Sequence, residues 1–203
     1  MNKPDFSFEI ACLLSPVCGI DEAGRGPWAG PVVASAVILN PTEVPEGLND
    51  SKKLTAKRRD VLFDAISKSA LVGIGTATVQ EIDEINILQA TFLAMRRAMT
   101  DLPALPNYAL IDGNKIPPDF PCDAEAIVKG DGRSVSIAAA SIIAKVTRDR
   151  IMVALAQQFP GYGWERNAGY GVKAHQEGLN RLGLTPHHRV SFKPIHKILY
   201  QDN

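Results

Sequence analysis

The stretch Gly19-Ile20-Asp21-Glu22-Ala23-Gly24-Arg25-Gly26 joins two apolar segments, which begin before it at residue 16 and end after it at residue 39. This arrangement predicts two strands connected by a glycine-rich turn. Two adjacent carboxylates at the mouth of such a hairpin are unfavourable unless a ligand binds them, and hard divalent cations are the usual ligands. Gly24 and Gly26 lack a Cβ, so backbone N–H groups there can approach an anion closely. Carboxylates for a metal beside amides for an anion suggest chemistry on a phosphodiester.

The rest of the chain alternates strand-like and helix-like segments, which is the order typical of an α/β domain. The pattern predicts strands at residues 17–20, 32–39, 71–79, 108–111 and 126–129, helices at residues 56–69, 82–99, 134–159 and 172–182, and a loop at residues 161–171. We therefore expect a single domain over residues 1–203, with an α/β core at about residues 16–160 and a helical C-terminal extension at about residues 161–203.

Two further acidic residues, Asp112 and Asp131, each follow a predicted strand and each precede a glycine. An Asp-Gly pair alone is more often a turn than a ligand. Because ligands gather at strand ends in α/β sheets, however, both carboxylates could converge on Asp21 and Glu22. Neighbouring strand residues point to opposite faces, so Asp21 and Glu22 can share a site only if the chain turns directly after Asp21. Four carboxylates without a histidine or cysteine cluster select an ion that prefers oxygen, Mg²⁺ or Mn²⁺.

The composition is that of a soluble globular protein, with 45% hydrophobic and 22% charged residues. No segment approaches the roughly 18 apolar residues that a membrane-spanning helix needs. Acidic residues stand near the N-terminus, where a secretion signal requires positive charge. The three cysteines (Cys12, Cys18 and Cys122) are odd in number and lack C-x-x-C spacing, which argues against a disulfide framework or a zinc site. We therefore expect a cytoplasmic protein without a membrane segment.

The net charge of zero hides an asymmetry along the chain. Residues 1–131 carry 12 basic and 18 acidic residues, whereas residues 132–203 carry 10 basic and 4 acidic residues and all four histidines. This distribution permits a basic nucleic-acid-binding face beside an acidic metal pocket, or it is an undirected drift of surface charge.

Several motifs in order resemble those of the bacterial ribonuclease HII family over roughly residues 17–194. They are residues 19–27 (GIDEAGRGP), 48–54 (LNDSKKL), 111–113 (IDG), 128–131 (VKGD), 138–149 (AAASIIAKVTRD) and 169–171 (GYG) with His175. The resemblance implies a ribonuclease H-like α/β fold, a mixed five-stranded sheet flanked by helices. It also implies an endonuclease that cuts RNA in RNA–DNA hybrids and 5′ of single ribonucleotides in duplex DNA.

The resemblance assigns roles to individual residues. Asp21, Glu22, Asp112 and Asp131 match the catalytic, metal-binding carboxylates of the family. The matching substrate-binding residues lie in three segments: Gly24, Arg25 and Gly26, which contact the 2′-hydroxyl, Ser51 and Lys52 beside the substrate backbone, and Tyr170, which packs on the sugar. The substrate-binding region is then the extension at residues 161–203, and the cofactor is Mn²⁺ or Mg²⁺. Two-metal catalysis would leave 3′-hydroxyl and 5′-phosphate ends.

Three residues depart from the family pattern. Asn167-Ala168 stands where His-Lys is common, and Val172 stands where threonine is common. We expect the missing lysine to weaken a phosphate contact without affecting the chemistry, and Arg166 is a candidate substitute.

Other basic and aromatic residues allow two interpretations. Lys145 and Arg148 share one side of the predicted long helix and are either phosphate contacts or a solvated face. His187-His188 is predicted to be structural or to face nucleic acid rather than to bind a metal. Trp28 and Trp164 are predicted to pack in the core.

The glycines at residues 24–30 match neither a dinucleotide fingerprint nor a P-loop, because a strand follows them and Gly-Lys-Ser/Thr is absent. Ribonuclease HIII is a less favoured alternative, because it would place a further domain before residue 17. A DNA-only nuclease on the same fold and a hybrid-binding module with an inactive site also remain open. A monomer is the default expectation, and a sliding-clamp partner is possible.

Overall fold

The computed structural model describes residues 3–200, and only the backbone of residue 200. A mixed five-stranded sheet forms its centre, as predicted, in the order β3-β2-β1-β4-β5. The strands are β1 Val17–Ala23, β2 Val32–Ile38, β3 Leu71–Ala77, β4 Tyr108–Asp112 and β5 Asp123–Ile127. The β1–β2 and β2–β3 pairs are antiparallel, and the β1–β4 and β4–β5 pairs are parallel. The acidic ends of β1 and β4 therefore lie at the same edge of the sheet.

The fifth strand ends earlier than the sequence pattern predicts. Residues 126–129 were expected, but β5 stops at Ile127, and Lys129 adopts the left-handed conformation that starts a 3₁₀ turn at residues 130–132. β5 is an edge strand in which Asp123 and Glu125 are exposed, so its first half lacks an apolar signal.

Seven helices occur among residues 3–200. They are α1 Ser7–Ala11, α2 Ala56–Ser69, α3 Val79–Asp101, α4 Val135–Gln158, α5 Trp164–Asn167, α6 Lys173–Leu182 and α7 Lys193–Tyr200. Thr55 caps α2 by accepting a hydrogen bond from the amide of Arg58, as predicted. The α3 helix begins before the predicted residue 82, because Thr78 and Glu81 form a capping box, and it is kinked at Asn86. None of these helices is both long and apolar enough to cross a membrane.

The long helix α4 packs directly on the sheet because small residues line their contact. Ala138, Ala139 and Ala140 are fully buried. A Cβ on Gly19 would lie 2.1 Å from the backbone of Ser136, so only glycine permits this spacing. The α3 helix covers the opposite face with Ile82, Phe92, Met95 and other apolar residues. The α4 helix thus runs past the carboxylate edge of β1.

The C-terminal extension forms a separate apolar cluster around Trp164, Tyr162, Leu179 and Ile195. The predicted loop at residues 161–171 is wrong in part, since α5 occupies its middle and buries Trp164 there. The packing role predicted for the two tryptophans is confirmed, because Trp164 is 1% exposed and the ring of Trp28 lies against Gly171. Residues 201–203 of the predicted extension lie outside the described residues.

Candidate active site and substrate cleft

Three carboxylates meet at the edge of the sheet where β1 and β4 end. Asp21, Asp112 and Asp131 can each offer an oxygen such that all three oxygens lie within 4.8 Å of one another. Asp21 follows Ile20, the last residue of β1 that pairs with β4, Asp112 ends β4, and Asp131 lies in the 3₁₀ turn after β5. The Gly130 amide donates to Asp112 Oδ1 at 2.7 Å, which ties this turn to β4. The predicted convergence of strand-end aspartates is therefore present in the structure.

Glu22 stands beside this cluster and does not belong to it. The turn directly after Asp21 that a shared site would require does not occur, because β1 stays paired with β2 through Ala23. Glu22 forms an ion pair with Arg25 at 3.3 Å, and the same side chain lines the cleft described below. Glu22 therefore joins the carboxylate cluster to the glycine-rich turn.

The electrostatics of the cluster favour a bound cation. Burial, together with the charges of Glu22 and Asp112, raises the pKa of Asp21 well above its ordinary value. Burial and the charge of Asp112 likewise raise the pKa of Asp131. The destabilised charges would be relieved by a cation, and a donor set made only of carboxylate oxygens fits a hard divalent ion. The residues present therefore fit Mg²⁺ or Mn²⁺.

Lys52 is the nearest basic side chain to this cluster. Its Nζ lies 3.7 Å from Oδ2 of Asp131, and the side chain is 79% exposed. Burial alone would lower the pKa of Lys52, but the combined charges of Asp21, Asp131 and other carboxylates outweigh it and raise that pKa. Lys52 is therefore charged at neutral pH and stands where it can contact an incoming anion.

A cleft of about 250 Å³ adjoins the carboxylates. All six predicted substrate-binding residues line it: Gly24, Arg25, Gly26, Ser51, Lys52 and Tyr170. Its remaining lining residues are Glu22, Ala23, Ser141, Lys145 and Arg148. Four segments that are distant in sequence thus line one cleft.

Ser51 holds its segment against α4. The Ser141 hydroxyl donates to Ser51 Oγ at 2.7 Å, and Arg59 donates to the Ser51 carbonyl at 3.0 Å. Ser51 itself is 3% exposed. These contacts fix the loop that carries Lys52 at the mouth of the cleft.

The two basic residues of α4 have different environments. The Arg148 side chain is buried and donates to backbone carbonyls of Ala29, Pro31 and Ala168, so its prediction as a phosphate contact or a solvated residue is wrong. Lys145 forms an ion pair with Asp149 at 2.7 Å and lines the cleft.

The two adjacent histidines of the C-terminal extension, His187 and His188, also differ in their environments. His188 is buried, with its Nε2 3.1 Å from Nε2 of His175, which confirms the structural interpretation for that residue. His187 is less buried and packs edge-on against Phe159. Within residues 3–200 neither histidine belongs to a metal-ligating group.

The departures from the family pattern have structural roles. The Asn167 side chain donates to the Tyr162 carbonyl at 2.8 Å and accepts from the Gly169 amide at 2.9 Å. Ala168 is left-handed and its carbonyl accepts from Arg148. These two residues shape the turn that leads into Tyr170.

Sequence reasoning missed Arg189, which is fully buried and donates to four backbone carbonyls of residues 24–31. It also missed Asn114 and Lys115, which line a smaller cavity of about 190 Å³ on the other side of Glu22 and Asp112. Arg189 follows His187-His188, and nothing in that sequence indicates that the arginine is buried. Lys115 could have been found, because a basic residue shortly after the predicted ligand Asp112 is a candidate for substrate contact.

Comparisons with known proteins agree with this geometry. A sequence profile of ribonuclease HII matches residues 18–195. Ribonuclease HII of Ruegeria pomeroyi is 60% identical over 205 residues, which cover 100% of this chain and 88% of that protein. Ribonuclease HII of Jannaschia sp. is 61% identical over 196 residues, with coverage of 97% and 98%.

Two solved structures are also similar. Ribonuclease H2 from Pyrococcus horikoshii has a TM-score of 0.76 at 28% identity and covers 92% of this chain and 99% of its own. Ribonuclease HII from Archaeoglobus fulgidus, solved in complex with PCNA, has a TM-score of 0.75 at 26% identity, with coverage of 89% and 95%. The predicted ribonuclease H-like α/β fold is confirmed.

Proposed function

Because the chain belongs to the ribonuclease HII family, we propose that it is an endonuclease that hydrolyses RNA in RNA–DNA hybrids and cuts duplex DNA 5′ of a single ribonucleotide. One observation carries the proposal. The carboxylate cluster for phosphodiester chemistry and the cleft lined by Gly24–Gly26 and Tyr170 adjoin each other at Glu22. The sites of cleavage and of sugar selection would therefore adjoin each other on the substrate strand.

Asp21, Asp112 and Asp131 would hold the cation, and Glu22 would complete the set from the side of the cleft. Bound divalent ions supply activation of water and stabilisation of negative charge on the leaving 3′-oxygen. When these aspartates hold the cation, their oxygens serve as its ligands and water is the attacking group. The products we expect are therefore a 3′-hydroxyl and a 5′-phosphate, formed without a covalent enzyme intermediate.

Selection of ribose would occur at the glycine-rich turn. Only the 2′-hydroxyl distinguishes a ribonucleotide from its DNA neighbours. Backbone groups at Arg25 and Gly26 that bond this hydroxyl would stay unpaired if deoxyribose occupied the cleft, which gives strong discrimination. Tyr170 faces Gly26 and is 48% exposed, so its ring can pack on the sugar.

Lys52 and Lys145 would contact the substrate backbone. Both are charged side chains at the wall of the cleft, and Lys52 also neighbours Asp131. A phosphate held there would lie next to the carboxylate cluster. Such contacts add affinity that falls with salt and do not depend on base sequence.

The wider setting belongs to the same proposal. We expect a cytoplasmic monomer, in keeping with the sequence-based expectation. The PCNA complex of the Archaeoglobus fulgidus protein makes a sliding clamp a reasonable partner to test. Sedimentation of this chain alone and mixed with a bacterial sliding clamp would decide both points.

End-group analysis tests the proposed chemistry. The products of RNA–DNA hybrid cleavage should be extended directly by a DNA polymerase, since a 3′-hydroxyl is present. They should also accept no further phosphate at the 5′ end until a phosphatase has acted. A 2′,3′-cyclic phosphate product would overturn this mechanism, and Asp112→Asn is the inactive control.

A further inference from the structure

Two fully buried arginines lie behind the glycine-rich turn. Arg148 is 1% exposed and Arg189 is 0% exposed. Within residues 3–200 neither guanidinium forms an ion pair with a carboxylate. A buried charge is unfavourable unless hydrogen bonds compensate it. The hydrogen-bond acceptors of the two guanidinium groups therefore indicate the structural role of each arginine.

The Arg189 side chain donates hydrogen bonds to the backbone of one segment, residues 24–31. Its Nη2 donates to the carbonyls of Gly24 at 2.6 Å and Pro31 at 3.1 Å. Its Nη1 donates to the Arg25 carbonyl at 3.1 Å, and its Nε donates to the Gly30 carbonyl at 2.9 Å. One side chain from the C-terminal extension therefore forms hydrogen bonds with both ends of the 24–31 segment and holds them together.

Arg148 supports the same segment from α4. It donates to the Pro31 carbonyl at 2.9 Å and the Ala29 carbonyl at 3.0 Å. Its third bond goes to the Ala168 carbonyl at 2.9 Å, two residues before Tyr170. The two arginines thus connect the glycine-rich turn, α4 and the segment that carries Tyr170.

The carbonyl contacts fix the direction of the amides. In a trans peptide the N–H points opposite to the carbonyl of the same unit. Because the carbonyls of Gly24 and Arg25 point to the buried Arg189, the amides of Arg25 and Gly26 point away from it. Arg25 and Gly26 line the cleft, and within the described part of the chain their amides have no hydrogen-bond acceptor.

We propose that Arg189 is a positioning residue for ribonucleotide recognition, which holds the Gly24 and Arg25 carbonyls inward and so presents the Arg25 and Gly26 amides to the 2′-hydroxyl and the adjoining phosphate. This inference rests on the proposed function. It makes the C-terminal extension a support for the site of sugar selection as well as a cover for the substrate. Arg148 couples that support to Tyr170.

The guanidinium geometry explains why an arginine occupies this position. Bonds from Nε, Nη1 and Nη2 to four carbonyls require a side chain with several donors on one fork, which lysine and glutamine cannot reproduce. Burial and the nearby Arg148 lower the pKa of Arg189 to about 9, so it remains charged at neutral pH. Its positive charge beneath the turn also favours an anion above it.

The test measures binding without cleavage. Fluorescence anisotropy in chelator would give the Kd for a duplex with one ribonucleotide and for the matched all-DNA duplex. The readout is the ratio of the two values for wild type, Arg189→Gln and Arg189→Lys. We expect the ribonucleotide preference to fall about five- to tenfold in Arg189→Gln, with all-DNA affinity within about twofold, and to fall less in Arg189→Lys.

Ile195→Ala is the matched control. Ile195 is fully buried in the apolar cluster of the C-terminal extension, and its side chain has no polar group that could bond the carbonyls of the 24–31 segment. It should lower the melting temperature and leave the ratio unchanged. If Arg189→Gln does not fold, Arg189→Lys decides the matter by the same ratio.

Three outcomes are informative. A reduced ratio in a folded Arg189 variant, with an unchanged ratio in Ile195→Ala, supports the inference. A wild-type ratio in the folded Arg189 variants, or an equal fall in Ile195→Ala, overturns it while leaving the proposed function intact. A wild-type protein that shows no ribonucleotide preference overturns the recognition part of the proposed function, and the inference with it.

Discussion

Tyr170 packs beside Gly26 in the lining of the substrate cleft. A Cβ placed on Gly26 would stand 3.4 Å from Cε1 of Tyr170, so the ring and the glycine-rich turn are close to van der Waals contact. The Tyr170 amide donates to the Asn167 carbonyl and its carbonyl bonds with Nδ1 of His175, which fixes the residue from both sides. The Tyr170 ring and the bare Gly26 backbone therefore stand side by side in the lining of the cleft, where both can contact one sugar.

Removing the Tyr170 ring should weaken recognition more than removing its hydroxyl. We expect Tyr170→Ala to lower kcat/KM on the single-ribonucleotide duplex about 5- to 150-fold, which corresponds to one lost stacking contact of about 1–3 kcal/mol. Tyr170→Phe should stay within a few-fold of wild type. Steady-state kinetics on one substrate would check this, and equal losses in both variants would show that the ring does not act through packing.

Gly24 and Gly26 should respond differently to an added methyl group. Gly24 has φ of +100° and its Cβ would lie 2.0 Å from Nε of Arg148, whereas the Gly26 Cβ meets only Tyr170 at 3.4 Å. We expect Gly24→Ala to cost about 1–3 kcal/mol of unfolding free energy from strain and a displaced buried arginine.

Gly26→Ala should leave the unfolding free energy within about 0.5 kcal/mol of wild type and reduce cleavage by narrowing the cleft. Denaturant unfolding and cleavage assays on both variants separate the two effects. Equal stability losses would contradict the packing of the turn against Arg148.

Asp112→Asn should stabilise the protein in chelator while abolishing cleavage. The raised pKa of Asp21 means that the folded state holds its proton more tightly than the unfolded state. The contribution of Asp21 to the unfolding free energy therefore falls as the pH rises above 3.8, the ordinary pKa of an aspartate. Removing the neighbouring charge of Asp112 relieves that penalty, and the asparagine oxygen can still accept from the Gly130 amide.

Thermal melts at pH 7 would measure the change, which we expect to be about 1 kcal/mol in favour of the variant without metal. Adding Mg²⁺ at about a hundred times Kd should stabilise wild type by about 2.7 kcal/mol and the variant by much less. A destabilised Asp112→Asn protein in chelator would contradict the like-charge repulsion inferred for the cluster.

His188 should make the fold sensitive to mild acid. Burial and the nearby His175 lower the pKa of His188 to about 4 from its ordinary 6.5. Between pH 4 and pH 6.5, His188 binds a proton in the unfolded chain but not in the folded chain. The contribution of neutral His188 to stability is therefore complete above pH 6.5 and is lost as the pH falls toward 4.

His188→Asn should flatten this part of the pH profile, because the asparagine oxygen can accept from the Thr185 amide as Nδ1 of His188 does. Urea unfolding of both proteins at several pH values from 4 to 7 would test this. Parallel profiles would show that His188 does not titrate on unfolding.

The sequence predicted the sheet and its carboxylates because both depend on local patterns. Apolar runs located β1, β2, β3 and β4, and Asp21 and Asp112 meet because they lie side by side where the pairing of the parallel strands β1 and β4 ends. The resemblance to the family singled out Gly24–Gly26, Lys52 and Tyr170, and the structure brings them together at one cleft.

The misses share a physical cause. The position of β5 depends on tertiary contacts, and so does the burial of Arg148 and Arg189. The sequence of an exposed edge strand or the charge of an arginine does not reveal such contacts. An arginine that donates only to carbonyls looks in sequence like any surface arginine. Glu22 lies outside the aspartate cluster because the ladder of β1 continues to Ala23, and residue spacing alone could not predict where that ladder ends.

Cleavage of an end-labelled DNA duplex with one ribonucleotide tests the account most directly. An all-DNA duplex, an RNA–DNA hybrid and Asp112→Asn run beside it, each with Mn²⁺, with Mg²⁺ and with chelator. We predict a metal-dependent cut on the 5′ side of the ribonucleotide, absent from plain DNA and from the variant. Cleavage of plain DNA, or binding of the ribonucleotide duplex without any cleavage, would contradict the assignment of carboxylate cluster and cleft to one ribonucleotide-selective endonuclease.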